Sequence, residues 1–268
     1  MRGLICYYSG TGNTKLACEV IAQKIASIEF ELFDIVHDGL PNCATYDLIG
    51  FAAWADYFNP PKRMKTFLAS LPAQDRTPAF VFNTFGSTPG KTLPSMDRWA
   101  RNRGFHVIAG HSLHTPENYP PLIKHGMTAE NSPSTRELAR FSEFILQLDR
   151  LAQLLADGRP VPARKAGLLR LLPSLPRTLS RTFMGKKYVN TNACTECGIC
   201  RERCPYGAIT LAPKPEFDQG KCYGCWACYN LCPTQAISTR KIKGVPQYAH
   251  PNLQLREKLL GSANGGSS

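Results

Sequence analysis

The sequence predicts a two-part α/β chain: a doubly wound, five-stranded parallel sheet followed by a small α+β unit. Three observations carry this expectation. Five apolar runs, at residues 3–8, 30–35, 47–53, 79–83 and 106–110, alternate with helical patterns, as strands buried on both faces of a parallel sheet do. Eight of the 11 cysteines crowd between Cys194 and Cys232. That cysteine-rich stretch repeats itself with a period of 28 residues, which marks an internal duplication.

Length and composition agree. A chain of 268 residues with 43% hydrophobic content suits one ordinary domain plus a smaller one and excludes wholesale disorder. No run approaches the roughly 18 apolar residues of a membrane-spanning helix. The start reads as a first strand rather than an export signal, so the expected location is cytoplasmic. Clustered cysteines in such a chain point to metal or redox chemistry rather than disulfides. The net charge of +12 is uneven: residues 1–156 balance to +1, residues 157–190 to +7 and residues 191–268 to +4. With most of the excess in the middle of the chain, the charge by itself says little about nucleic acid, and none is expected as a partner.

Taken in order, the first strand feeds the loop Ser9-Gly10-Thr11-Gly12-Asn13-Thr14. A helix over 14–26 follows, with Leu16, Ala17, Val20, Ile21 and Ile25 at helical spacing and Asn13 placed to cap it. Cys6, Cys18 and Cys43 read as small buried hydrophobes. Ser134 and Glu137 form a capping-box pattern before a longer helix whose apolar side runs Leu138, Phe141, Ile145, Leu148, Ala152 and Leu155. Asp157-Gly158, then Pro160 and Pro162, end that helix and a first domain of residues 1–156. Residues 157–189 read as a basic connector, where Leu168, Leu172, Leu175 and Leu179 alternate with arginines and Pro173 and Pro176 break any long helix. A strap between domains, a dock for an acidic protein and a contact with an anionic membrane surface are its alternatives. Residues 190–250 form the cysteine-rich domain, and 251–268 a tail with a disordered end.

Each cysteine repeat reads C-x2-C-x2-C-x3-C-P. Three thiolates two residues apart wrap one face of a cubic cluster, and the fourth, before proline, reaches the other cluster. Cys194, Cys197, Cys200 and Cys232 are thereby assigned to one [4Fe–4S] cluster, and Cys222, Cys225, Cys228 and Cys204 to a second. Small residues (Gly198, Gly207, Ala208, Gly224, Ala227, Ala236) are expected where backbone approaches inorganic sulfide. Zinc ribbons use paired C-x2-C knuckles instead. The stretch from residue 190 to 240 resembles a bacterial two-cluster ferredoxin, which implies one-electron transfer.

The loop from Ser9 to Thr14 pairs glycines that allow a tight turn with hydroxyls at a helix start, a cradle for phosphate. Lys15 stands where a dinucleotide fingerprint needs its third glycine, and the segment from Gly86 to Thr92 has one residue too few for a nucleoside-triphosphate loop. The pattern after strand one resembles the FMN phosphate loop of flavodoxins. The resemblance implies strand order 2-1-3-4-5 and a flavin at the carboxyl ends of strands one and three. It also implies that Trp54, Tyr57, Thr84, Phe85 and Gly86, in the loops after strands three and four, contact the isoalloxazine, with Asn118 or Tyr119 as further contacts. His106, His111 and His114 lack a completing ligand set and read as a loop bordering the flavin rather than a metal site.

As a whole the chain resembles the flavodoxin–ferredoxin fusion family. The resemblance implies a cytoplasmic electron carrier linking FMN to two [4Fe–4S] clusters and to redox partner proteins. Two other readings stand beside it: an FMN-dependent reductase of a small molecule such as a quinone, and an iron–sulfur redox sensor.

Overall fold

A computed structural model describes residues 1–165 and 184–261. Among them, the first unit runs β1 (Arg2–Tyr7), α1 (Asn13–Lys24), β2 (Glu29–Asp34), β3 (Leu48–Trp54), α2 (Lys62–Ser70), β4 (Pro78–Phe85), α3 (Thr92–Asn102), β5 (His106–His114), α4 (Pro120–Ile123) and α5 (Thr135–Ala156). All five strands pair in parallel, in the order β2-β1-β3-β4-β5. Strands this apolar need cover on both faces, and they have it. On one face Leu16, Val20 and Ile21 of α1 and Phe141, Phe144, Ile145 and Leu148 of α5 pack against Ile5, Phe80 and Phe82. On the other, Met64, Phe67 and Leu68 of α2 and Met96 of α3 pack against Leu4, Phe51 and Val81. Cys6, Cys18 and Cys43 are buried within these cores.

Local differences from the sequence reading have simple causes. Gly12, not Asn13, is the N-cap of α1, because its left-handed φ of 104° makes the turn into the helix and leaves Asn13 as the first helical residue. Strand β5 continues to His114, so His111 and His114 are strand residues rather than loop. The α5 capping box is present as expected: Ser134 Oγ accepts from the Glu137 N–H, and the Glu137 carboxylate accepts from the Ser134 N–H. Leu168, Leu172, Leu175 and Leu179 lie outside the described residues, as does the Gly-Gly-Ser-Ser end.

The second unit is built from short pieces: β6 (Lys187–Val189), α6 (Ile199–Glu202), β7 (Ile209–Leu211), β8 (Pro215–Phe217), α7 (Ala227–Asn230) and β9 (Ile237–Thr239). Each element of the first half recurs 28 residues later, the period of the cysteine repeat. Left-handed backbone recurs with it, at Glu196 and Gly224, Gly198 and Trp226, and Gly207 and Gln235. The halves exchange strands: β6 pairs antiparallel with β9, and β7 with β8. Each two-stranded sheet therefore takes one strand from each repeat. Strand β6 falls in the stretch read as connector, so the second unit reaches back to at least Lys187.

The tail is also structured. Residues Leu253–Leu260 form α8, whose Leu255 and Leu259 are buried in the core of the first unit beside α1. Asn252 caps it, its Oδ1 accepting from the Leu255 N–H at 2.8 Å. Among the described residues no helix is long and apolar enough to cross a membrane.

Candidate functional site: a phosphate cradle beside two cysteine cages

The carboxyl ends of β1, β3, β4 and β5 deliver their loops to one edge of the sheet, where strand order reverses between β1 and β3. Ser9 Oγ accepts from the N–H groups of Gly12 (3.1 Å) and Lys15 (3.3 Å), which curls the loop over the start of α1. Thr14 Oγ1 lies 2.8 Å from Thr84 Oγ1, tying that helix start to β4. The resulting hollow is lined by Ser9, Gly10, Thr11, Asn13 and Thr14, with Trp54, Thr84, Phe85, Gly86 and Glu117 facing them. The buried indole Nε1 of Trp54 has no hydrogen-bond partner among the described residues, and a Cβ on Gly10 would meet only that nitrogen, at 4.0 Å. A hollow at a helix N-terminus, with an unpartnered donor beside it, fits a phosphate group.

Not every predicted residue faces this space. Gly12 turns away, and the position of a Cβ on it is 2.7 Å from Pro251 Cδ. The Asn13 side chain is engaged, Nδ2 donating to the Pro116 carbonyl and Oδ1 accepting from Tyr248. Tyr57 lines a second, larger cavity that shares Trp54, Gly86, Glu117 and Asn118 with the first. Phe85 stacks on His114, rings 4.9 Å apart. The histidines diverge: His106 bonds the Val161 carbonyl, His111 stacks among Phe82, Phe141 and Phe144, and His114 contacts Glu137, Ser132 and the Gly86 carbonyl. They form no metal site.

Sequence reasoning missed Glu117. It lines both cavities, and its Oε1 accepts from the N–H groups of Asn118 (2.9 Å) and Tyr119 (3.0 Å). Gly86 makes room for it, since a Cβ there would stand 2.5 Å from Glu117 Oε2. Burial raises its pKa above the ordinary carboxylate value of 4.5, outweighing the backbone hydrogen bonds and His114, which act to lower it. A carboxyl whose folded pKa is raised favours folding most below its unfolded pKa, and that contribution is lost as pH rises through the folded value. Glu117→Gln is therefore expected to raise the thermal midpoint by a few degrees at pH 8 and by less near pH 4.5, measured by calorimetry of the flavin-free protein.

The large cavity ends on the second unit, at Gly224, Cys225 and Trp226. Tyr119 and Trp226 meet edge-to-face with centroids 6.2 Å apart, and the Tyr223 hydroxyl accepts from the Lys62 N–H at 3.2 Å. Tyr223 and Trp226 stand where the first repeat has Thr195 and Gly198. The duplication is broken where the second repeat docks.

The eight clustered cysteines divide into two cages. Cys194, Cys197, Cys200 and Cys232 line one cavity, and Cys204, Cys222, Cys225 and Cys228 line another. Burial raises the Cys200 thiol, and Cys197, Cys232 and Cys194 raise it further. Burial pushes Cys225 up to about 11, with Cys204 and Cys222 adding to it. Thiols crowded together in this way need a cationic group among them to ionise together. The Ala208 and Ala236 N–H groups point at Cys204 Sγ (3.4 Å) and Cys232 Sγ (3.3 Å), donors of the kind that tune cluster sulfur. Among the described residues no three His, Cys, Asp or Glu side chains converge as a single ion requires.

Residues 193–236 match the family model described as a 4Fe-4S dicluster domain. The second unit is a ferredoxin-like 4Fe-4S domain. The chain thus joins a flavodoxin-like fold, given by its strand order, to a ferredoxin-like 4Fe-4S domain. Over 48 residues it is 44% identical to a component of the ion-translocating oxidoreductase complex of Methanosarcina acetivorans, an alignment covering 18% of this chain and 18% of that protein. Solved structures similar to it include a flavodoxin from the domain Archaea, at 16% identity over 57% of this chain and 99% of that one, with a TM-score of 0.43. Another is oxidised Flavodoxin 1 from Bacillus cereus, at 16% identity over 60% and 100% of the two chains, with a TM-score of 0.41.

Proposed function

We propose that this chain carries electrons between an FMN held by the first unit and two [4Fe–4S] clusters held by the second, serving redox partner proteins. The observation that carries the reading is the continuity of the large cavity, from Trp54, Tyr57 and Glu117 to Cys225. Bound FMN supplies two-electron or one-electron chemistry, and each cluster supplies one-electron chemistry, so their union converts one into the other.

The chain's own residues have definite tasks in this scheme. Ser9, Gly10, Thr11 and Thr14 hold the phosphate, with the N-terminus of α1 and the hydroxyls of its loop as donors. Gly12 shapes the turn, and Asn13 acts through its backbone, its side chain being engaged. Trp54, Tyr57 and Phe85 border the ring site, Thr84 and Gly86 supply its β4 wall, and Glu117 closes the edge. Cys204, Cys222, Cys225 and Cys228 hold the cluster beside the flavin. Cys194, Cys197, Cys200 and Cys232 hold the outer one, and the exposure of Cys197 gives partner proteins an approach to it.

A second reading, a reductase of a small planar molecule such as a quinone, is favoured by Tyr119 and Leu122, apolar side chains in the same cavity beyond the ring site. Anaerobic reductive titration tests the first reading. Uptake of about four electrons per chain, two into FMN and one into each cluster, is expected. Uptake of about two electrons with no releasable FMN overturns it. Turnover of a quinone that leaves the clusters oxidised would favour the second reading.

A further inference from the structure

We propose that residues 245–260 and helix α7 form part of the flavin site, with Tyr248 and Asn230 latching the phosphate loop in its binding shape. The inference rests on the FMN reading above and adds to it a contribution from the other end of the chain. Thr11 Oγ1 accepts from Asn118 Nδ2 at 2.7 Å, and the Asn118 carbonyl accepts from Asn230 Nδ2 at 2.8 Å. Asn230 Oδ1 accepts from the Tyr248 N–H at 3.2 Å. The Tyr248 hydroxyl donates to Asn13 Oδ1 at 2.8 Å, and Asn13 Nδ2 donates to the Pro116 carbonyl at 3.1 Å. Pro116 and Asn118 are two residues apart, so the path closes into a ring. It holds the phosphate loop at two points: at Asn13 directly, from Tyr248, and at Thr11 through Asn118, whose carbonyl Asn230 holds.

Three further features show a built contact. Asn230 is 1% exposed, whereas its counterpart in the first repeat, Glu202, is exposed. A buried amide that spends its groups on Asn118 and Tyr248 serves the junction rather than the repeat. Pro251 packs on Gly12, the residue whose left-handed turn starts α1. Leu255 and Leu259 then anchor the segment in the first unit's core. Asn230 sits between Cys228 and Cys232, and Gln247 Nε2 donates to the Cys232 carbonyl at 3.0 Å. The same segment therefore touches both a cluster ligand and the phosphate loop. Linkage is reciprocal: whatever orders this segment strengthens FMN binding, and FMN stabilises it in return.

The test is the FMN affinity of cluster-loaded, flavin-free protein, read by quenching of flavin fluorescence. Tyr248→Phe keeps the ring and loses the hydroxyl, and is expected to bind FMN about five- to tenfold more weakly. Pro251→Ala, which frees the turn at Gly12, is expected to weaken binding in the same direction. Tyr188→Phe, at an exposed tyrosine of β6, should bind as the parent does. The cluster absorbance and the thermal midpoint of flavin-free Tyr248→Phe should match the parent; a merely structural role would lower both without a selective loss of FMN. Affinities within about twofold of the parent for both Tyr248→Phe and Pro251→Ala overturn the latch and leave the FMN reading standing. Failure of the parent protein to bind FMN overturns both.

Discussion

Cys232→Ser is expected to remove the outer cluster, although Cys232 lies in the second repeat. Iron and sulfide should fall by roughly half, with the cluster beside the flavin retained. The reason is the crossing of the cages: Cys232 lines the cavity of Cys194, Cys197 and Cys200, and Cys204 that of Cys222, Cys225 and Cys228. Electron paramagnetic resonance of the reduced variants distinguishes crossed from uncrossed ligation. The Cys232→Ser spectrum should match that of Cys194→Ser, and the Cys204→Ser spectrum that of Cys222→Ser. A Cys232→Ser spectrum identical to that of Cys222→Ser would falsify the crossed assignment. Because each two-stranded sheet also takes a strand from each repeat, a variant that loses one cluster should loosen the whole second unit.

Lys187→Met is expected to lower the potential of the cluster beside the flavin by about 60 mV, the equivalent of a tenfold change for one electron. Lys187 is 4% exposed, its ammonium lies 3.0 Å from the centroid of the Trp226 ring, and its charge acts to lower the Cys228 thiol pKa against the dominant effect of burial. A fixed cation stabilises the more negative, reduced cluster, so removing it makes reduction harder. The repeat makes the comparison internal. At the equivalent position beside the outer cage stands Pro215, where the nearby Lys214 is offset by its ion pair with Glu196 at 2.7 Å. On the side of the inner cage that meets the large cavity, Asp56 acts to raise the Cys225 thiol pKa. Removing that negative charge has the opposite effect, so Asp56→Asn should raise the same potential. Redox titration followed by electron paramagnetic resonance reads both variants. An unchanged or higher potential for Lys187→Met would refute this electrostatic account.

The sequence by itself determined those features whose cause is local. Continuous apolar runs located the five strands, because a strand buried on both faces needs apolar residues throughout. The glycine and hydroxyl pattern from Ser9 to Thr14 marked the turn between β1 and α1 that lines the smaller cavity, because a tight turn into a helix admits few residue types. The C-x2-C-x2-C-x3-C-P spacing and its period of 28 pointed to the cages and their crossing, because three thiolates of one loop can reach a single centre while the fourth cannot.

Tertiary structure decided the rest. Strand β6 is three residues long, too short for any periodicity to report, and exists because β9 supplies its partner. The repeat could have revealed it, since Lys187–Val189 lies 28 residues before Pro215–Phe217. Helix α8 has a polar cap and spaced leucines, yet nothing in that pattern says that Leu255 and Leu259 return to a core formed much earlier in the chain. Glu117 is an ordinary acidic residue in sequence, and only the close approach permitted by Gly86 buries it between two cavities. Tyr223, Trp226 and Asn230 differ from their counterparts Thr195, Gly198 and Glu202, and only docking gives each a partner on the first unit: Lys62, Tyr119 and Asn118. Local pattern encodes which face of an element is buried. It does not encode what covers that face, because pairing between distant segments is fixed by shape and by hydrogen bonds formed only when the chain closes on itself.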